Sequence, residues 1–148
     1  MNTPVNFELA KLLKEKGFDK PCGKFYCENI HDDDEIIKDN LCQRRDFGIY
    51  AIQITNYNFR YEYGGKLVNE GCYSAPTIAE IVMWLYEKHG IWIRVEPDWD
   101  GDFWAQIKSK NIPDARIGKW LVVTALAPYK TPTEAYEAAI EYTLKSLI

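Results

Sequence analysis

The chain has 148 residues, a net charge of −4 and a pI near 5.2, with 47% hydrophobic and 27% charged residues. That is enough for one globular domain, 1–148, which would bury about 68–70% of its unfolded surface. The acidic balance argues against a general nucleic-acid binder, which needs a basic face for phosphates, and no apolar run reaches the roughly 20 residues that span a bilayer.

The first expected element is a helix from Asn6 to Lys16, with Asn6 as N-cap and Thr3-Pro4 competing for that role. Phe7, Leu9, Ala10, Leu12 and Leu13 supply its apolar stripe, and Gly17 closes it with Phe18 in position for a capping contact. Phe25-Tyr26-Cys27 reads as a short strand. The acidic run His31 to Glu35 reads as a loop leading into a short helix through Ile36, Ile37 and Leu41. From Phe47 the period changes to two, and Tyr50, Ile52 and Ile54, then Phe59, Tyr61 and Tyr63, suggest a hairpin around Asn56-Tyr57-Asn58. Gly64-Gly65 ends it, and Lys66 to Tyr73 leads on through another short strand.

Ser74 to Val95 carries the clearest structural signal. Thr77 and Glu80 have capping-box spacing, Pro76 sharpens the boundary, and Ile78, Ile81, Val82 and Leu85 recur on one face. Gly90 is placed to end the helix in the left-handed conformation, with Lys88 and His89 suiting the dipole in its last turn. Ile91, Ile93 and Val95 then alternate with Trp92, Arg94 and Glu96, as in a strand with one buried face. Pro97 to Asp102 forms a turn and Phe103 to Lys108 the returning strand, with Ile117 to Ala125 a third β segment. Thr131-Pro132-Thr133-Glu134 starts the last helix with a second capping box and proline at its first position. Its core face is read as Tyr136, Ala139, Ile140, Thr143, Leu144 and Leu147. The order predicts a single α+β domain of two layers, a largely antiparallel sheet against three helices.

Candidate chemistry is sparse. Cys22, Cys27, His31 and Cys42 give Cys-x4-Cys-x3-His-x10-Cys, thiolate and imidazole donors of the kind zinc takes, but without a second tight Cys pair. The competing reading is four cysteines used as small buried hydrophobes, with a Cys22–Cys27 disulfide as a further alternative. Asp98-x-Asp100-x-Asp102 resembles the start of a calcium loop, but glycine falls at position four and Ser109 stands where a bidentate Glu belongs, so a hairpin turn fits better. Cys72 with His89 would be a nucleophile pair only if the fold brought them together. There is no G-x-S-x-G, P-loop or dinucleotide glycine motif, and no cofactor is expected.

Five Trp, ten Tyr and six Phe are a heavy aromatic load, suited to a dense core or a binding surface. Trp84, Tyr86 and Trp92 lie off the central stripe or on the outward face of the following strand, and are the expected partner-binding residues if exposed. For Trp84 and Tyr86 alike the competing reading is a core position on a helix buried from two sides.

Tyr73-Ser74-Ala75-Pro76-Thr77 leading to Trp84-Leu85-Tyr86-Glu87-Lys88-His89-Gly90-Ile91 forms one recognisable stretch, and Thr131 to Ile140 followed by Leu144-Lys145 another. With Glu8 to Leu12 and Lys16-Gly17-Phe18 they resemble an uncharacterised family of small phage- and prophage-type proteins from gut bacteria. The resemblance implies a cytoplasmic accessory protein and transfers no catalytic or binding residue. The expected function is therefore non-enzymatic, namely binding a host or phage protein, with two alternatives. One is a small-ligand-binding protein or small enzyme, and the other a zinc-stabilised domain through the N-terminal cysteines.

Overall fold

The computed structural model describes residues 3–27, 41–43, 56–59, 61–67, 71–110, 121–124 and 128–148. In chain order these contain α1 (Phe7–Glu15), β1 (Lys24–Cys27), β2 (Leu41–Gln43), β3 (Glu62–Tyr63), β4 (Lys66–Leu67), β5 (Cys72–Ser74), α2 (Ile78–His89), β6 (Ile91–Pro97), β7 (Phe103–Ser109), β8 (Leu121–Thr124) and α3 (Pro132–Ser146). Every pairing among the described strands is antiparallel. The architecture is the expected α+β mix of three helices on antiparallel strands, and the chain divides into two compact units, Pro4–Pro76 and Thr77–Ile148 with the first three residues.

In Pro4–Pro76, α1 starts where Asn6 Oδ1 accepts the Leu9 N–H at 2.9 Å, which settles the cap in favour of Asn6. Gly17, at φ +76°, turns the chain out, and the Phe18 N–H then reaches the Leu13 carbonyl at 2.9 Å. Leu9, Ala10 and Leu13 are buried, while Phe7 and Leu12 are half-buried at the edges of the stripe. The sheet has the order β2-β1-β5, with Phe25 opposite both Cys42 and Ser74.

Leu41 corrects one expectation. It lies in a strand opposite Tyr26, not at the end of a helix; Ile36 and Ile37 fall outside the described residues, as do the acidic loop and 44–55. Pairing with an existing strand supplies backbone partners that a short isolated helix lacks. Gly64 and Gly65 do more than end a hairpin. Both have positive φ, +58° and +76°, and they close the tight β3–β4 turn, where a two-residue loop favours two such conformations.

A polar network pins the turn at Asn56 to Phe59. Ser74 Oγ donates to Asn56 Oδ1 (3.0 Å) and accepts from the Tyr57 N–H (2.9 Å), while the Ser74 N–H donates to Asn58 Oδ1 (2.9 Å). Around it Phe25, Cys27, Tyr57 and Cys72 form a buried cluster, with the Phe25 and Tyr57 rings stacked at 4.0 Å.

In Thr77–Ile148, both expected capping boxes are formed, Thr77 with Glu80 and Thr131 with Glu134. β6 and β7 pair over their full length, setting Ile91 opposite Ser109, Ile93 opposite Ile107 and Val95 opposite Ala105. Ile91, Ile93, Ala105, Ile107 and Ser109 are buried on the face that α2 and α3 cover, making two layers. Each buried isoleucine contributes roughly 1.5–3 kcal/mol relative to an exposed one. On α3 the buried face is Ala135, Ala139, Ile140, Thr143 and Leu144. Tyr136 and Leu147, expected in the core, are half-buried at its border, and Ala135 takes the inner position because a small side chain permits close approach.

Candidate functional site

The site begins with the helix stop. Gly90 adopts φ +65° and ψ +26°, and its N–H closes on the Leu85 and Tyr86 carbonyls. The strand starts at the next residue, so the last turn of α2 and the first residues of β6 are held side by side. Burial of Ile91 and Ile93 forces Trp92 outward by the alternation of the strand. Tyr86 projects from the flank of the helix beside the stripe of Ile78, Ile81, Val82 and Leu85, and is exposed.

The two rings meet edge to face, with centroids 5.4 Å apart and planes at 81°. Tyr86 is 40% exposed and Trp92 42%, and Met83, one turn before Tyr86, is 49% exposed. Lys110 lies over the Tyr86 ring with Nζ 5.0 Å from its centroid, tied in place by its own N–H to the Gly90 carbonyl at 3.0 Å. Aromatic pairing of this kind is worth about 0.5–1.5 kcal/mol and an exposed cation–π contact about 0.5–1 kcal/mol. The result is an ordered apolar surface with a cationic edge. It offers contact area and the hydrogen-bonding tips of Tyr86 and Lys110.

Trp84 stands apart from its expected companions. It is wholly buried, with its ring edge-on to His89 at 4.9 Å, and so is not part of the surface. The one-turn spacing of Met83 and Tyr86 was a readable signal for the third member of the patch, since the helix face that carries Tyr86 also carries Met83.

The cysteines are arranged differently from either expectation. Cys27 and Cys72, directly opposite in the β1–β5 register with Cα atoms 4.2 Å apart, form a disulfide. The Cys22–Cys27 alternative is therefore wrong, and so is the reading of all four cysteines as small buried hydrophobes, since two of them are bonded to each other. The bond also takes Cys27 out of the thiolate set drawn for zinc and Cys72 out of a Cys–His pair while it is intact. Cys22 is buried, Cys42 lies in β2, and His31 is outside the described residues. The sequence carried no spacing signal for this pair because its two members are brought together by strand register alone.

Where the aspartate run was expected to be a turn, it is one. The Asp98 N–H donates to the Asp102 carbonyl at 2.6 Å, and both Asp98 carboxylate oxygens are engaged with neighbouring N–H groups. An open depression of about 310 Å³ at Asn6, Phe7, Glu8 and Tyr26 is lined by none of the residues considered for catalysis. Its polar groups are largely committed to the fold, Asn6 to its cap and the Tyr26 hydroxyl to the Val5 carbonyl at 2.9 Å.

Comparison with protein-family models, with curated proteins and with solved structures finds no match. No helix among the described residues is long and apolar enough to cross a membrane. The functional reading therefore rests on the geometry of the chain itself.

Proposed function

We propose that the protein acts by binding another protein, with Met83, Tyr86 and Trp92 as the contact surface. The observation that carries this reading is the exposed Tyr86–Trp92 pair, held in a fixed edge-to-face arrangement by the Gly90 stop. Tyr and Trp are the residues most often found at interaction hot spots, and a surface ordered before binding loses little entropy when a partner arrives. The resemblance of the Ser74–Ile91 and Thr131–Lys145 stretches to small phage-type proteins supports an accessory role, with a host or phage protein as partner.

The test is affinity capture from the natural host with the wild-type protein and with the Tyr86→Ala/Trp92→Ala variant. Proteins captured by the wild type and lost with the folded double variant would support the reading. Equal capture by both, with unchanged affinity for the purified captured protein, would contradict it.

A further inference from the structure

A second aromatic feature lies at the other end of β6, about seven residues or roughly 20 Å of strand from Trp92. Trp99 sits at the tip of the β6–β7 hairpin and is fully exposed, with a relative accessibility of 102%. Leaving an indole in water is unfavourable, yet the surrounding loop is built to hold it there. Asp98 Oδ1 accepts the Trp99 N–H, and Asp98 Oδ2 accepts the Trp104 indole N–H at 2.7 Å, so one carboxylate ties the tip to the strand below it. The Gly101 N–H closes on the Asp98 carbonyl at 3.1 Å, with Gly101 at φ +83° making the turn. Lys130 braces the far side through Asp102 at 2.7 Å. The base of the hairpin tip is fixed by reciprocal backbone bonds between Phe103 and Tyr129 at 2.8 and 3.0 Å.

We propose that the Asp98–Asp102 tip is a docking point that inserts the Trp99 indole into an apolar slot of a partner protein, a slot rimmed by lysine or arginine. Fixation of the loop backbone argues for docking, since a tip ordered before binding leaves only the rotation of the indole side chain to be lost. Charge sets the chemistry of the partner. Glu96, Asp98, Asp100 and Asp102 all lie within three positions of Trp99 in the chain, Glu96 paired with Arg94 and Asp102 with Lys130, so the tip is net acidic and attracts a basic rim. The same charge disfavours an anionic lipid surface, and it disfavours a second copy meeting tip to tip. This docking point goes beyond the Tyr86–Trp92 surface and stands on a separate observation.

The experiment places a photo-crosslinking benzoylphenylalanine at position 99 in cells of the natural host, with position 141 on the exposed side of α3 as the control site. The crosslinked protein is then purified and its affinity measured for the wild type and for Trp99→Ala, Asp100→Lys and Tyr86→Ala/Trp92→Ala. The proposal expects an adduct within an apolar slot bordered by Lys or Arg. It also expects a loss of at least about 30-fold for Trp99→Ala, the effect of a hot-spot residue, and a smaller, salt-sensitive loss for Asp100→Lys. The Trp99 ring packs on nothing in the fold, so Trp99→Ala should melt as the wild type does. Adducts to lipid, to nucleic acid or to a second copy, no adduct above the control site, or an affinity indifferent to Trp99→Ala would each overturn it. Loss with the Tyr86/Trp92 variant alone would overturn this proposal and leave the other surface standing.

Discussion

Trp92 stands edge-on to Tyr86 with ring centroids 5.4 Å apart, and the meeting depends on a helix that stops and a strand that starts within a single residue. Six positions separate the two residues along the chain. Without a left-handed turn at Gly90, the chain could not reverse quickly enough to bring the second position of β6 alongside the last turn of α2.

Replacing Gly90 with Val should therefore damage both stability and the surface. A β-branched residue at φ +65° is strained by about 1–2 kcal/mol. Chemical denaturation should show a loss of that order with an unchanged denaturant slope. A variant as stable as the wild type would mean that the left-handed stop does not hold this junction.

Ser74 is the hinge of the polar network in the N-terminal unit. It is wholly buried, and its hydroxyl both donates to Asn56 and accepts from Tyr57. Ser74→Ala leaves a buried backbone N–H without its acceptor, which costs about 1–3 kcal/mol. Denaturation of Ser74→Ala checks this, and a cost below about 0.5 kcal/mol would show that the network is redundant.

Much of the fold was legible because its local signals agree with one another. At Thr77, Glu80 and Gly90 the capping chemistry, the apolar spacing and the stop all specify one helix, and the structure places it there. The alternation of Ile91 and Ile93 with Trp92 likewise fixed which strand face would be buried. Leu41 and Cys72 were not legible, since their conformation and pairing come from β1, a partner distant in sequence. Periodicity carries no information about such register. Trp84 took the core position and Tyr86 the exposed one, a division the α2 stripe could not make because it depends on what packs beside each flank of the helix. For the candidate surface, Trp92 was readable as an outward position and Tyr86 as either core or outward, while Met83 was missed although it shares the helix face of Tyr86.

The Cys27–Cys72 bond links positions 45 residues apart. In the chain-entropy account, a closure of that length stabilises by about 4 kcal/mol, within the usual range of about 2–4 kcal/mol or slightly above it. Reduction, or Cys27→Ala/Cys72→Ala, should lower stability by about that amount. Such bonds persist in oxidising surroundings, so the thiol state of freshly lysed cells is itself informative. Thiol labelling of denatured protein, with and without reductant, should reveal two additional reactive cysteines after reduction. Full labelling without reductant would contradict the bond.

Glu137 on α3 is half-buried, and its carboxyl is pushed above the ordinary 4.5 by loss of solvent, with the nearby Glu134 charge adding to the shift. Such a group favours the folded state most at low pH, where it is protonated in both states. Stability falls as pH rises from the unfolded value through the higher folded value, and the difference then levels off. Glu137→Gln should therefore melt slightly higher than the wild type at pH 7. The advantage should shrink toward nothing as the pH falls well below 4.5, where the wild-type carboxyl is protonated in both states. A variant less stable than the wild type at pH 7 would contradict the burial argument.

The central claim is that the Tyr86–Trp92 pair is a binding surface and not surplus core. Its most direct measurement is the affinity of Tyr86→Ala/Trp92→Ala for the purified partner, read beside its melting temperature. The account predicts a folded variant that loses the roughly 0.5–1.5 kcal/mol of the ring pair and, in addition, the stabilisation of the area the two part-exposed rings bury, with a loss of binding of at least about 30-fold. A double variant that binds as tightly as the wild type would contradict it.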